Sequence, residues 1–156
     1  MNSAPVARHS ADSIAALVRA FETATLAPAD FTHHAHMTVA LSYLWDLPYD
    51  AAVERMRRSV QSFAAHHGKE QLYNETITLF WMKLLHHALC ECRSGRDLPQ
   101  AVEEILQRWG SMQWLFRHYS RERAFSPAAR RIWLEPDLLP LEFATQTHGT
   151  QVIRAR

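Results

Sequence analysis

Three of the ten histidines fall within one short stretch, Phe31-Thr32-His33-His34-Ala35-His36-Met37. Imidazole is the commonest side-chain metal ligand, and an ordinary pKa of about 6.5 also suits it to moving protons. At roughly 100° per residue on a helical wheel, His33 falls in the middle of an apolar face with Met37, Ala40 and Leu44. His36 lies about 60° to one side, above Ala40 and Tyr43, and His34 about 100° to the other. His33 and His36 are therefore the inward pair, and an i, i+3 pair on one turn can place two imidazoles on one ion.

A second source of chemistry is Tyr73-Asn74-Glu75-Thr76-Ile77-Thr78. Glu75 opens a stretch that is apolar nearly all round, so its carboxylate should lie at least partly inside. If the helices starting near 32 and 74 run parallel in an up-down bundle, His33, His36 and Glu75 meet at one pole. The helix between them ends there too, which adds His66 and His67. Two histidines and a carboxylate are a ligand set used for zinc, and for non-haem iron with open positions. His86 is eleven residues from Glu75, about 16.5 Å along the axis, too far to share an ion with it. The third candidate is His118-Tyr119-Ser120 through Ser126 to Arg130, where a guanidinium fork can clamp a carboxylate or phosphate.

Plainer roles suit the same residues. A buried histidine is often a hydrogen-bonded core residue, and a glutamate beside a cap is a favourable charge at a helix N-terminus. Histidines 66 and 67 suit the dipole at a helix C-terminus. Ser126 would cap, Arg130 and Arg131 would cover the outside of their helix, and Tyr119 would pack.

Positioning these groups requires helices. Ser10 caps a first one, with Ile14, Leu17, Val18 and Phe21 at i, i+3, i+4, i+7. Thr32 caps the second, which stops near Pro48. Asp50 is the expected cap of the third, whose inward residues are Val53, Met56, Val60, Phe63 and Ala64. Its Arg55, Arg57, Arg58 and Gln61 are expected in solvent, and Gly68 sits where a C-terminal glycine belongs. Asn74 caps the fourth, running to about Arg93; a helix apolar on every side is central. Asp97 and Gln100 have capping-box spacing around Pro99 for the fifth, which Gly110 ends. A shorter helix over Met112–Tyr119 and another from Ser126-Pro127 through Trp133 follow, then an extended or looped Glu135–Pro140. The reading is all-α: a compact bundle of four to five main helices plus short C-terminal ones. It comprises a tail over 1–9, one helical domain over 10–141, and an extended or disordered tail over 142–156.

Composition narrows the function classes. A chain of 156 residues supports one domain. A net charge of +1 offers no basic field for nucleic acid and no lysine-rich face for an anionic membrane. The stretch Ile77–Leu89 is broken by Lys83, His86 and His87 and is too short to span a bilayer. The first ten residues are polar and lack the apolar core of a signal peptide. Cys90 and Cys92 diverge by roughly 200° on a helix, so no mutual disulfide is expected, and unpaired thiols fit the cytoplasm. Glycine-rich phosphate loops, G-x-S-x-G, C-x-x-C and zincin motifs are all absent.

The motifs Phe31-x-His33-x-x-His36, Tyr73-Asn74-Glu75-Thr76-Ile77-Thr78, Tyr119-Ser120, Ser126-x-x-Ala129-Arg130 and Pro136-Asp137 resemble a family of small, uncharacterised bacterial all-helical proteins. The pattern there reads F-x-H-x-x-H, Y-H-E-T-I-T, Y-S and S-x-x-A-R, and the resemblance covers residues 30 to 140. This chain departs from it at Asn74, where the pattern has histidine; a ligand contributed by that histidine would be missing here.

Three functional expectations follow. In the first, His33, His36 and Glu75 hold zinc or iron, and Tyr73, Tyr43 or Tyr119 orients a small organic substrate, with Arg130 and Trp81 as further substrate contacts. In the second, the site is metal-free: Glu75 and His33 form an acid/base pair in a cavity walled by Trp45, Phe80, Trp81 and Met82. In the third, the five tryptophans and the C-terminal tail serve a homodimer interface.

Overall fold

Capping chemistry sets most of the helix starts. The structure, a computed structural model, describes residues 9–143. Among them are eight α-helices and no strands: α1 Ala11–Glu22, α2 His33–Asp46, α3 Tyr49–His66, α4 Glu75–Cys92, α5 Leu98–Trp109, α6 Gln113–His118, α7 Arg121–Ala124 and α8 Pro127–Arg131. Ser10 and Asp97 form full capping boxes with Ser13 and Gln100. Thr32 accepts from the Ala35 amide and Asn74 from the Ile77 amide. Each contact satisfies one of the amides that a helix N-terminus leaves without an intrahelical partner.

The expected cap at Asp50 is not one. Helix α3 begins a residue earlier, at Tyr49, behind Pro48, and has no side-chain cap. Proline fixes the entry torsion, and Asp50 sits in the first turn, where its charge suits the helix dipole. Gly68 follows α3 at φ +66°, the left-handed conformation that glycine adopts without a Cβ clash.

Helix α4 is the central element. Phe80, Trp81, Met82, Leu84, Leu85, Ala88, Leu89 and Cys92 on it are buried, and α2, α3, α5, α6 and α8 all pack against it. Helices α1, α2 and α3 form one side of the core, where Phe21, Phe31 and Phe63 cluster with ring centroids 4.3 to 5.1 Å apart. No helix among the described residues is long and apolar enough to cross a membrane. Both cysteines are free, Cys90 exposed and Cys92 buried.

The C-terminal pieces are shorter than their sequence signals suggest. The Ser126-Pro127 helix ends at Arg131, and a four-residue helix, α7, intervenes, capped by Ser120. The segment after α8 is fastened by side chains. The buried Thr76 hydroxyl donates to the Ile132 carbonyl at 2.7 Å and accepts from the Leu134 amide at 3.0 Å. Tyr119 donates to the Leu134 carbonyl at 2.6 Å. The amide and hydroxyl of Ser120 both donate to the Asp137 carboxylate, at 2.8 and 2.6 Å. His118 Nδ1 lies 3.0 Å from the Leu139 carbonyl. These bonds hold an irregular segment against the rest of the fold and pair the backbone groups of Ile132, Leu134 and Leu139.

Chain ends that the sequence assigns to tails are in part packed. His9 Nδ1 lies 2.7 Å from Glu103 on α5. Phe143 sits against Phe80, His87 and His118. The rest of both tails, 1–8 and 144–156, lies outside the described residues.

Candidate functional site

The starts of α2 and α4 do meet at one pole, and a cavity of about 420 Å³ lies between them. The first turn of α2 gives it His33, His36, Met37 and, one turn on, Ala40; α3 gives Met56 and Val60. Tyr73, Asn74, Ile77, Thr78, Trp81, Met82 and Leu85 line it from α4 and its lead-in. Leu72, Met112, Phe125 and Arg130 complete the wall, and all four are solvent-exposed, so they form the mouth.

Burial keeps both inward histidines neutral. The His36 ring stands edge-on to Phe31 with centroids 3.7 Å apart. Its pKa is pushed down to about 4, first by desolvation and then by the neighbouring His33. The His33 pKa is also lowered, by burial and then by His34, with the Gly110 carbonyl acting in the opposite sense. Trp81 meets the His33 ring in a T-shaped contact at 4.6 Å. His33 Nε2 is buried and has no hydrogen-bond partner among the described residues. Such an atom costs stability unless something satisfies it. His34 reaches the same Gly110 carbonyl at the end of α5, with Nε2 3.2 Å from its oxygen, and does not line the cavity. A Cβ on residue 110 would collide with the Leu106 carbonyl oxygen and stand 2.9 Å from His34 Nε2, so glycine is what permits the packing here.

Glu75 reaches the same pole but does not line the cavity. Its Oε1 accepts from Arg57 Nη2 at 2.6 Å and Nε at 3.0 Å, and its Oε2 accepts from the Tyr73 phenol at 2.5 Å. Its pKa is lowered: burial opposes this, but the hydrogen bonds from Arg57 and Tyr73 outweigh it. Tyr73 is raised well above an ordinary phenol by burial and by Glu75. Glu75 is thus a weak base, already occupied on both oxygens, that fixes the Tyr73 ring in the cavity wall. Among the described residues no three His, Cys, Asp or Glu side chains gather closely enough to hold a metal ion.

Arg57 is the residue that sequence reasoning missed. Its position on the wheel groups it with the solvated arginines of α3, yet it joins Glu54 at 2.7 Å and Glu75 on α4. A signal existed: a carboxylate opening an apolar helix needs a cation, and α3 packs directly on α4.

The other candidates divide between wall and scaffold. Trp81 and Met82 line the cavity; Trp45 and Phe80 do not. Arg130 stands at the mouth, its Nη1 donating to the Gln71 carbonyl at 2.7 Å. Tyr43 is buried away from it, donating to Glu22 at 2.6 Å with the Ser59 hydroxyl 3.2 Å from the same phenol oxygen, and burial pushes its phenol up to about 12. Tyr119 is fully buried as the clasp on Leu134 described above. His66 is exposed and His67 rests on Phe63; neither lines the cavity. Asn74, the position that departs from the histidine of the resembling pattern, uses Oδ1 to cap α4 and Nδ2 to hold the Ala124 carbonyl at 2.8 Å. The tryptophans are buried or half-buried in the protein's own packing, with Trp45 under Arg93 and Trp133 under Lys83.

No protein family, curated protein or solved structure matches the chain.

Proposed function

We propose that this protein binds a small, largely apolar organic molecule in the cavity where α2 and α4 begin, with His33 as a polar anchor. The observation that carries this reading is the buried, unpartnered His33 Nε2 in the wall of a cavity of about 420 Å³. That size and that pairing of a mostly apolar lining with a few polar groups are what ligand pockets have. A neutral imidazole can donate from one nitrogen or accept at the other, so it suits a ligand carbonyl or hydroxyl. Binding is favoured over acid/base catalysis because Glu75, the proposed partner of His33, is tied to Arg57 and Tyr73.

N-Phenyl-1-naphthylamine, a neutral dye that brightens out of water, tests the reading. Saturable fluorescence is expected with wild-type protein. Val60→Trp, which fills the cavity from α3, should weaken it by about tenfold or more. Ile77→Phe does the same from α4, and circular dichroism checks that each variant is still helical. No saturable signal, or a signal that neither folded variant weakens, would overturn the reading.

A second reading is favoured by the same nitrogen. His33 and His36 stand one turn apart, both neutral, and so are able to ligate a divalent ion such as zinc or iron. Zinc there would polarise a carbonyl or activate water, and iron would suit oxidation. Elemental analysis of untagged protein should then find near-stoichiometric metal that His33→Ala loses. Metal-free, folded protein would remove this reading and leave the first.

A further inference from the structure

The mouth of the cavity carries a charge that no acidic side chain balances among the described residues. Among those residues Arg130 is the one permanently charged side chain in the lining, and no aspartate or glutamate lines the cavity. Arg57, the cation paired with Glu75, is neutralised by Glu54 and Glu75. Among the described residues Arg130 forms no ion pair, and its Nη1 donates to the Gln71 carbonyl. That bond holds the guanidinium in place while leaving the Nε and Nη2 donors, the edge that receives a carboxylate through two parallel bonds. The backbone beneath it is fixed as well. Ser126 caps α8 and the adjacent Ala129 is fully buried. Around this cation the rim is apolar: Leu72 is 61% exposed and Phe125 46%. A molecule that covers the rim with hydrocarbon and meets the guanidinium with an anion satisfies both features.

We infer that the ligand is an amphiphilic carboxylate, whose aliphatic or aromatic body fills the cavity and whose carboxylate is held by Arg130 at the mouth. This rests on the reading of the cavity as a small-molecule site and adds the class of molecule. Arg130 is exposed, so the head-group preference is moderate and weakens in salt.

The test displaces N-phenyl-1-naphthylamine from wild-type protein with octanoate, 1-octanol and octylamine, which share one chain length and differ in head group. Octanoate should displace the dye about fivefold more tightly than 1-octanol, and octylamine least well. In Arg130→Gln the ratio of octanoate to octanol affinity should fall to about one, and Arg130→Lys should restore part of it. Dye binding with no preference for octanoate overturns the carboxylate and leaves the cavity reading standing; absence of saturable dye binding overturns both. Equal or better displacement by octylamine, or a preference that persists in Arg130→Gln, also overturns the proposal. The wild-type comparison decides it even if the variant does not fold.

Discussion

Between pH 6.5 and pH 4 the folding stability of the protein is expected to fall by on the order of 3 kcal/mol, with His36 as the main cause. In the folded chain the His36 pKa is pushed down to about 4, while an unfolded histidine titrates at its ordinary 6.5. The folded state therefore favours the neutral ring. Above pH 6.5 both states hold it neutral and nothing is lost. As the pH falls through 6.5 the unfolded chain takes up a proton that the folded chain refuses, so stability declines. The decline levels off once the pH passes below the folded value. His33 is shifted in the same direction and adds to the slope.

Urea unfolding at several pH values, with a chelator present, measures this. His36→Phe keeps an aromatic ring beside Phe31 and removes the titration, so it should remove the larger part of the slope. Any constant change in stability from the altered packing cancels in that comparison. A wild-type profile that is flat from pH 6.5 to 4, or an unchanged slope in His36→Phe, would show that the ring is not held neutral. The result matters for the site, because an imidazole that resists protonation offers a ligand a hydrogen bond rather than a charge.

The helices were legible because their signals are local. Ser10, Thr32, Asn74 and Asp97 each satisfy the amide three residues on, and the nearly all-round apolarity of α4 states its central place. The pole where α2 and α4 begin followed from the up-down order of successive helices. The direction of individual side chains did not, since it depends on partners distant in sequence. Tyr43 looked like a cavity residue on the wheel, but Glu22 and Ser59 draw its phenol to the other side. Tyr119 and Asp137, which stand out in the motif, fasten the C-terminal segment through Leu134 and Ser120. Thr76 does so through Ile132, 56 positions on. A chemistry-bearing residue type is thus ambiguous until its hydrogen-bond partner is known, and such partners lie on other helices.

Glu75 is where that ambiguity has the largest consequence, and Glu75→Gln is expected to cost about 2 kcal/mol at pH 7. The substitution keeps the size and one acceptor for Tyr73 but removes the charge opposite Arg57. The Glu75 side chain is 13% exposed and that of Arg57 30%, so the guanidinium is left partly desolvated with Glu54 as its remaining acidic partner. In a domain of this size the cost corresponds to roughly 4–8 °C in Tm. The pH dependence separates this from a packing defect. Because the folded pKa of Glu75 is lowered, its contribution is present above the unfolded value of 4.5 and is lost as the pH falls through the folded value. The wild-type and Glu75→Gln curves should therefore converge below pH 4.5, a window beneath the one in which His36 acts. A variant as stable as wild type at pH 7, or a gap that stays constant to pH 3, would show that the Arg57–Glu75 pair does not stabilise the fold. With the predicted convergence, Glu75 is placed as the group that holds Tyr73 in the cavity wall, and dye binding should weaken in the variant because that wall loosens.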